Sequence, residues 1–252
     1  MPIDVNGNSI NSFGTRLFNS TEIVSNGLVW YYDAGIADSY SGSGTSIVDF
    51  TGNGNNATLS EFSYVNTYGG SFQNTTGRVG SAGIQVPLTN FSKLVGTCEF
   101  WARPTTYDTG NGIFVNRNDD SPNSANWWWL GVWQNANVYF RLGRNDGNCC
   151  IHDNMITNWP SIHTLNTWGH YSVTWNSGVE SRIYFNGTLR QTVSIGTLTN
   201  ANDSSIGRWG LGHASSNSQW LGQMGTFKHY NRVLSAAEVL QNFQADRPRF
   251  GR

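Results

Sequence analysis

Charged side chains are scarce in this sequence. Asp, Glu, Lys and Arg together make up 12% of the 252 residues, and the formal net charge is −1. Soluble domains ordinarily contain about twice that share of charged residues. No basic block interrupts this pattern, whereas a protein that tracks nucleic-acid phosphates normally carries a basic stripe. We therefore expect no nucleic-acid partner.

Long apolar runs and cysteines are also few. No stretch approaches the roughly 18 apolar residues of a membrane-spanning helix, so no membrane partner is expected. The first twenty residues lack a basic region followed by an apolar one, so no signal peptide is predicted. Cys98, Cys149 and Cys150 leave at least one thiol unpaired and form no pair of CxxC motifs. We expect reduced thiols rather than a structural zinc site.

Short alternating segments separated by Gly and Asn clusters fill most of the chain, a pattern typical of an all-β sandwich or barrel. Residues 27–35 and 97–104 alternate in this way. Residues 170–176 give the clearest half-buried strand, in which Tyr171, Val173 and Trp175 point to one side. His170, Ser172 and Thr174 point to the other side.

Local signals add a hairpin, a helix and an arm. The dipeptide Asn186–Gly187 lies between two β-prone segments and predicts a type I′ turn. Ser235 and Glu238 form a capping box at the start of a helix over residues 235–243. Residues 1–25 are polar and weakly patterned, so we interpret them as an arm that becomes ordered on a neighbour, ahead of one domain over residues 26–252.

Residues 125–140, ANWWWLGVWQNANVYF, contain a run of tryptophans. Strand alternation separates this run into two faces. One face has the mixed sizes of a sandwich core: Trp128, Leu130 and Val132. The candidate binding surface combines the opposite face with two residues of the next strand: Trp127, Trp129, Trp133, Tyr139 and Arg141. The chain's own loops, a protein partner or a stacked glycan could cover these rings, and the first two explanations are favoured.

Several motifs occur in an order found in a known family. They are DAG (33–35) with VDFTGNGNNATL (48–59), CEFWARP (98–104), WGHYSVTWNSGVESRIYFNGTL (168–189), SIGRWG (205–210) and WLGQMGTFKHYNRVLSAAEVLQNF (220–243). Over about residues 27–245 the chain resembles the LamG-like jelly-roll domains of the concanavalin A-like superfamily. The resemblance implies two antiparallel sheets packed face to face, with one short C-terminal helix capping an edge. The DAG opening and the LQNFQADRPRFG tail are similar to versions in phage and other virion structural proteins.

The resemblance also implies a possible calcium site. Many members of the family hold Ca²⁺ near the chain entry with oxygen ligands, and the matching residues here are Asp33, Asp49, Asn53 and Asn55. The family's acidic residue in its GxIDE motif falls on Gly225, which removes a ligand. The alternative, a tight Asx/Gly turn that satisfies its own backbone, is therefore favoured, and no cofactor is required.

Catalysis finds little support in the sequence. Glycosidases of this superfamily carry paired carboxylates on one strand face, yet none of the five glutamates has an acidic residue two or four positions away. No GxSxG motif supports a serine nucleophile. We therefore expect a protein without enzymatic activity.

The favoured interpretation is a non-enzymatic virion structural protein: a capsid decoration, head-fibre or tail-fibre component made in the host cytoplasm. Its partners would be other virion proteins or further copies of itself as a homo-oligomer. A carbohydrate-binding module for host surface glycans is the alternative, and a divergent glycoside hydrolase is a second one. The fold alone does not choose among them.

Overall fold

The computed structural model describes residues 22–74, 84–88, 91–107, 111–116, 128–133, 137–142, 151–156, 158–198, 206–209 and 220–252. For the strand residues 111–116, 128–133, 141–142, 151–156 and 206–209 the description is limited to the backbone.

Strands dominate the described part of the chain, with a 3₁₀ turn at Trp159–Ser161 and one helix, α1 (Ala236–Asp246). In chain order the strands are β1 (Leu28–Asp33), β2 (Ser46–Ile47), β3 (Ala57–Thr58), β4 (Phe62–Val65), β5 (Ser71–Asn74), β6 (Ile84–Pro87), β7 (Val95–Pro104), β8 (Asn111–Asn116), β9 (Trp128–Trp133), β10 (Asn137–Leu142), β11 (Ile151–Ile156), β12 (Gly169–Asn176), β13 (Glu180–Phe185), β14 (Thr188–Ser194), β15 (Ile206–Trp209) and β16 (Gly222–Tyr230).

These strands form two antiparallel sheets. The first has the order β14-β13-β12-β7-β16-β5-β4, and β1 pairs with the same side of β16 that β5 uses further along. The second has the order β11-β10-β9-β8-β15-β6-β3-β2. The predicted two-sheet sandwich with one C-terminal helix is confirmed.

The core between the sheets follows the alternation predicted from the sequence. Tyr171, Val173 and Trp175 of β12 all lie in it, together with Phe100 of β7. The rings of Phe100 and Tyr171 stack with centroids 5.2 Å apart and an angle of 12° between their planes. Such offset aromatic pairs stabilise a core beyond the area that they bury.

The opposite face of the first sheet is buried as well, which corrects two expectations. His170, Ser172 and Thr174 were expected to face solvent, but each is at most 2% exposed. Helix α1 lies over the middle of this face rather than at an edge, since Phe243 stacks on Trp101 of β7 at 5.7 Å. A helix with apolar and amide side chains thus gives the sheet a second, more polar interior.

The predicted hairpin and helix cap are both confirmed. Asn186 and Gly187 have φ values of 51° and 74°, the left-handed pair that a type I′ turn requires. The side chain of Ser235 accepts a hydrogen bond from the backbone of Glu238, and the Glu238 carboxylate accepts one from the backbone N–H of Ser235.

Replacing Ser235 by alanine is expected to lower the free energy of unfolding by about 1 kcal/mol, because the first turn of α1 loses its cap. Urea denaturation measures the change, and Ser194→Ala at an exposed position of the edge strand β14 is the control. Equal midpoints for the two variants would contradict the capping role.

Residues 22–25, the last part of the predicted arm, are described in the structure. The backbone N–H of Val24 donates to the Asn242 side chain at 2.8 Å, and the Tyr230 hydroxyl donates to the Val24 carbonyl at 3.0 Å. Residues 22–25, predicted to belong to the arm, therefore pack against α1. Residues 1–21 of the predicted arm lie outside the described residues. The described helix is too short and too polar to span a bilayer.

Candidate functional site

The turn after β2 is organised by the carboxylate of Asp49. Its Oδ1 accepts hydrogen bonds from the backbone N–H groups of Tyr31 and Thr51, both at 3.1 Å. Its Oδ2 accepts from the backbone of Asn55 at 3.2 Å. The side-chain amides of Asn53 and Asn55 both donate to the carbonyl of Val29, at 3.1 and 3.3 Å. The polar groups of this turn are therefore directed at one another.

Asp33 faces a different group. Its carboxylate forms an ion pair with the guanidinium of Arg249 and accepts a hydrogen bond from the Tyr31 hydroxyl at 2.9 Å. The backbone N–H of Gly35 donates to the same carboxylate at 2.8 Å. Asp33 is 2% exposed, so Arg249 supplies the positive charge that this buried carboxylate needs.

The four residues that match the calcium motif do not fit calcium as arranged. Asp49 is bonded to N–H donors, the amide nitrogens of Asn53 and Asn55 face a carbonyl, and Asp33 is paired with Arg249. A hard cation needs several oxygen ligands free to converge on it. The described residues also contain no group of three or more His, Cys, Asp or Glu side chains placed to hold a metal.

We accordingly expect millimolar Ca²⁺ to leave the melting temperature unchanged relative to EDTA, because the carboxylate of Asp49 is already bonded to N–H donors and that of Asp33 to Arg249. Differential scanning calorimetry with and without each additive measures this. A saturable rise in Tm that disappears in Asp49→Asn would contradict this reading of the turn.

The predicted aromatic surface falls on β9 and β10. Val138 and Phe140 of β10 lie in the core, and they pair with positions 132 and 130 of β9. Because opposed residues of an antiparallel pair share a face, positions 128, 130 and 132 belong to the core-facing row. The opposite row contains the pairs Trp133–Asn137, Gly131–Tyr139 and Trp129–Arg141.

Of the five residues predicted to form this surface, the structure describes the side chain of Tyr139 alone. Tyr139 is partly buried, and the backbone register places it one strand away from Trp129 and Trp133. For Trp129, Trp133 and Arg141 the description stops at the backbone. Trp127 lies outside the described residues, so the proposed role of these rings stays a prediction.

The cysteine and histidine side chains that the structure describes are buried. Cys98 Sγ lies 3.6 Å from His229 Nδ1 in the core, and burial raises the pKa of this thiol. Burial lowers the pKa of His229 to about 3, and its Nδ1 lies 3.1 Å from the carbonyl oxygen of Thr97. A neutral thiol beside a neutral imidazole, both without access to solvent, is a packing arrangement rather than a catalytic pair.

A second buried histidine is also structural. His163 Nε2 lies 2.9 Å from the Thr167 carbonyl and Nδ1 lies 2.6 Å from the hydroxyl of Tyr171. The indole N–H of Trp159 donates to the same hydroxyl at 2.5 Å. Burial lowers the pKa of His163 to about 4, so the imidazole is neutral at pH 7 and serves this hydrogen-bond chain.

Glu99 occupies the middle of the face beneath α1. It is completely buried, accepts a hydrogen bond from the Asn242 amide at 2.5 Å and is directly opposed by Lys228 on β16. Burial raises the pKa of Glu99 to about 7, against the lowering effects of Lys228 and Asn242. The side chain of Lys228 is itself 0% exposed and forms an ion pair with Asp246.

The turn between β4 and β5 exposes an aromatic ring that the sequence analysis missed. Tyr68 is 44% exposed, and its φ of 54° lies in the left-handed region that residues other than glycine rarely adopt. Its ring meets Trp168 edge-on with centroids 5.8 Å apart, and the Arg103 guanidinium carbon lies 6.0 Å from the ring centroid. In the sequence, YGG at 68–70 gives only a turn signal.

This turn is held rigidly. Arg249 donates through Nε to the Tyr68 carbonyl at 2.9 Å and through Nη2 to the Gly70 carbonyl at 2.7 Å. Any Cβ at Gly70 would lie 2.4 Å from the Ala34 carbonyl oxygen, so only glycine permits this close approach.

Comparison with known proteins places the chain in a family. Residues 77–240, well over half of the chain, match the sequence model of a family described as "Concanavalin A-like lectin/glucanases superfamily". Curated protein sequences give no significant match.

Three solved structures illustrate the likeness in fold. The binding domain of Paraclostridial Mosquitocidal Protein 1 superposes with a TM-score of 0.63 at 21% identity, over 86% of this chain and 52% of that one. Domain 4 of AbnA, a GH43 extracellular arabinanase from Geobacillus stearothermophilus, in complex with arabinotriose, gives 0.60 at 16%, over 86% and 98%. Botulinum neurotoxin type C, whose cell entry depends on two ganglioside molecules, gives 0.62 at 16%, over 87% and 51%.

The chain spans about half the length of the two toxin structures and nearly all of the arabinanase domain. At these identities the likeness concerns the fold. The family match, over more than half of the chain, shows that the chain belongs to the concanavalin A-like lectin/glucanases superfamily.

Proposed function

We propose that this chain is a non-enzymatic binding domain that attaches to carbohydrate on a surface. The observation that carries the proposal is the distribution of its chemically capable groups. The described cysteine, the described histidines His163, His170 and His229, and Glu99 are all enclosed, whereas an aromatic ring with a neighbouring guanidinium is exposed on a rigid turn. This arrangement suits recognition better than turnover, because a sugar binds by stacking on a ring and by hydrogen bonds from fixed polar groups.

The solved structures support the proposal. The arabinanase domain is in complex with arabinotriose and is matched over almost its entire length. The mosquitocidal protein structure is a binding domain, and cell entry of botulinum neurotoxin type C depends on gangliosides. A sandwich of this kind therefore occurs in proteins that engage glycans.

A glycan array with the whole chain, combined with a polysaccharide panel assayed for newly formed reducing ends, tests this function. We expect saturable binding to at least one class of glycan and no release of sugar. Release of reducing ends that depends on the protein would contradict the non-enzymatic part, and the absence of any binding would contradict the carbohydrate part.

A structural role in a virus particle is the second candidate. Its support comes from the strap at residues 22–25, which α1 holds through Asn242 and through Gln241, whose amide donates to the Glu22 carbonyl at 2.8 Å. A segment ahead of this strap would leave the sandwich at a fixed point, as an arm that reaches a neighbouring virion protein or a second copy requires. Deleting residues 1–21 should then reduce oligomer formation or incorporation into particles; unchanged incorporation would contradict this role.

A further inference from the structure

We propose that Tyr68, Arg103 and Asn166 form a subsite for an acidic sugar, a pyranose ring that bears a carboxylate. The inference rests on the proposed carbohydrate-binding function and assigns it a location and a ligand class. The subsite lies beyond the strand ends of the first sheet, where the turn between β4 and β5 meets the loop before β12.

The backbone of the subsite is preorganised. Tyr68 is held in its unusual backbone conformation by Arg249, and Asn166, with a φ of 60°, is also left-handed. The Asn166 backbone N–H donates to the Pro104 carbonyl at 2.8 Å, and its own carbonyl accepts from Arg103 Nε at 2.9 Å. For a bulky residue such as Tyr68 the left-handed conformation costs energy and is retained where the surroundings fix it, which is a recurrent property of ligand sites.

The exposed groups of the subsite have the chemistry that a sugar requires. The Tyr68 ring offers a flat apolar surface of the kind on which the C–H face of a pyranose stacks. The guanidinium beside that ring uses Nε for Asn166 and Nη1 for Gln223, at 3.4 Å. Its other N–H donors have no partner among the described residues and can bind hydroxyl or carboxylate oxygens. Asn166, whose backbone carbonyl contacts Arg103, is exposed and carries a side-chain amide.

The positive charge of the subsite favours an acidic sugar. Arg103 lies beside the Tyr68 ring, and its hydrogen bonds go to a carbonyl and an amide rather than to a carboxylate of the described residues, so its charge is available to a ligand. The two carboxylates packed nearby, Asp33 and Asp246, are already paired with Arg249 and Lys228. Guanidinium groups bind carboxylates through paired, charge-assisted hydrogen bonds. A sialic or uronic acid presents both the ring and the charge that this surface fits.

Tyr68→Gly is the decisive variant because glycine adopts the left-handed conformation at no steric cost. The fold should therefore be retained while the ring is lost. Isothermal titration with N-acetylneuraminic acid, glucuronic acid and glucose as probes should give tighter binding of an acid than of glucose. We expect a loss of about tenfold or more for Tyr68→Gly and for Arg103→Gln, with wild-type affinity for Leu189→Ala.

Leu189 is a matched control because it is 45% exposed and lies on β14, at the opposite end of the first sheet from β4. Saturable glycan binding that Tyr68→Gly leaves intact would overturn the location while leaving the proposed function in place. Equal affinity for glucose and for the acids would overturn the ligand class. If the wild-type protein binds no carbohydrate at all, both the subsite and the proposed function are wrong.

Discussion

Replacing Lys228 by methionine is expected to destabilise the domain by roughly 3 kcal/mol or more, because one member of a buried ion pair is removed. The Lys228 side chain is 0% exposed, forms its ion pair with Asp246 of α1 and lies 5.0 Å from the centroid of the Tyr31 ring. Methionine keeps the length of the chain but not the charge. Asp246 is then left without its cation next to the buried Glu99. Urea denaturation at pH 7 measures the loss.

An exposed ion pair in the same sheet provides the control. Arg182 and Glu180 contact each other with side-chain exposures of 36% and 32%. Arg182→Met should cost less than about 1 kcal/mol, because solvent already screens that pair. Equal losses in the two variants would contradict the role assigned to the polar interior under α1.

We expect the contribution of Glu99 to the free energy of unfolding to decrease as the pH rises from about 4.5 to about 7. Burial raises the pKa of Glu99 to about 7 from an ordinary value of 4.5. Between these values the folded protein binds a proton that the unfolded chain has released. The stabilisation by the Glu99 carboxyl is therefore complete below pH 4.5 and is lost as the pH rises through about 7. The total change in the free energy of unfolding is about 3 kcal/mol.

Glu99→Gln isolates this component, since glutamine resembles the protonated carboxyl at every pH. The quantity to measure is the free energy of unfolding of the wild-type protein minus that of Glu99→Gln, from pH 4 to pH 8. His163 and His229 have lowered pKa values, so protonation destabilises the fold at acidic pH in both proteins and cancels in the difference. We expect the difference to fall with pH; a flat difference would show that the carboxyl is not held in its protonated form.

Local signals in the sequence were sufficient to predict the elements that are determined by residues close together in the chain. The alternation around Tyr171 and Trp175, the Asn186–Gly187 turn and the Ser235 cap each involve residues a few positions apart, and all are observed. The family resemblance supplied the arrangement of the two sheets, which no short segment encodes.

The remaining features depend on contacts between distant parts of the chain. The sequence pattern predicts that a polar residue such as Ser172 faces solvent, but the packing of α1 across the sheet buries it. Asp33 matches a calcium motif, yet its partner is Arg249, which follows the helix at the other end of the sequence. The sequence around Tyr68 indicates only a turn, and the same arginine fixes the backbone of that turn.

We propose above all that the chain binds carbohydrate without transforming it. The most direct test is a glycan array on the whole wild-type chain, with free reducing ends measured in the same wells. We expect saturable binding that is strongest for glycans bearing carboxylates, together with unchanged reducing ends. Failure to bind any glycan, or protein-dependent release of sugar, would contradict the claim.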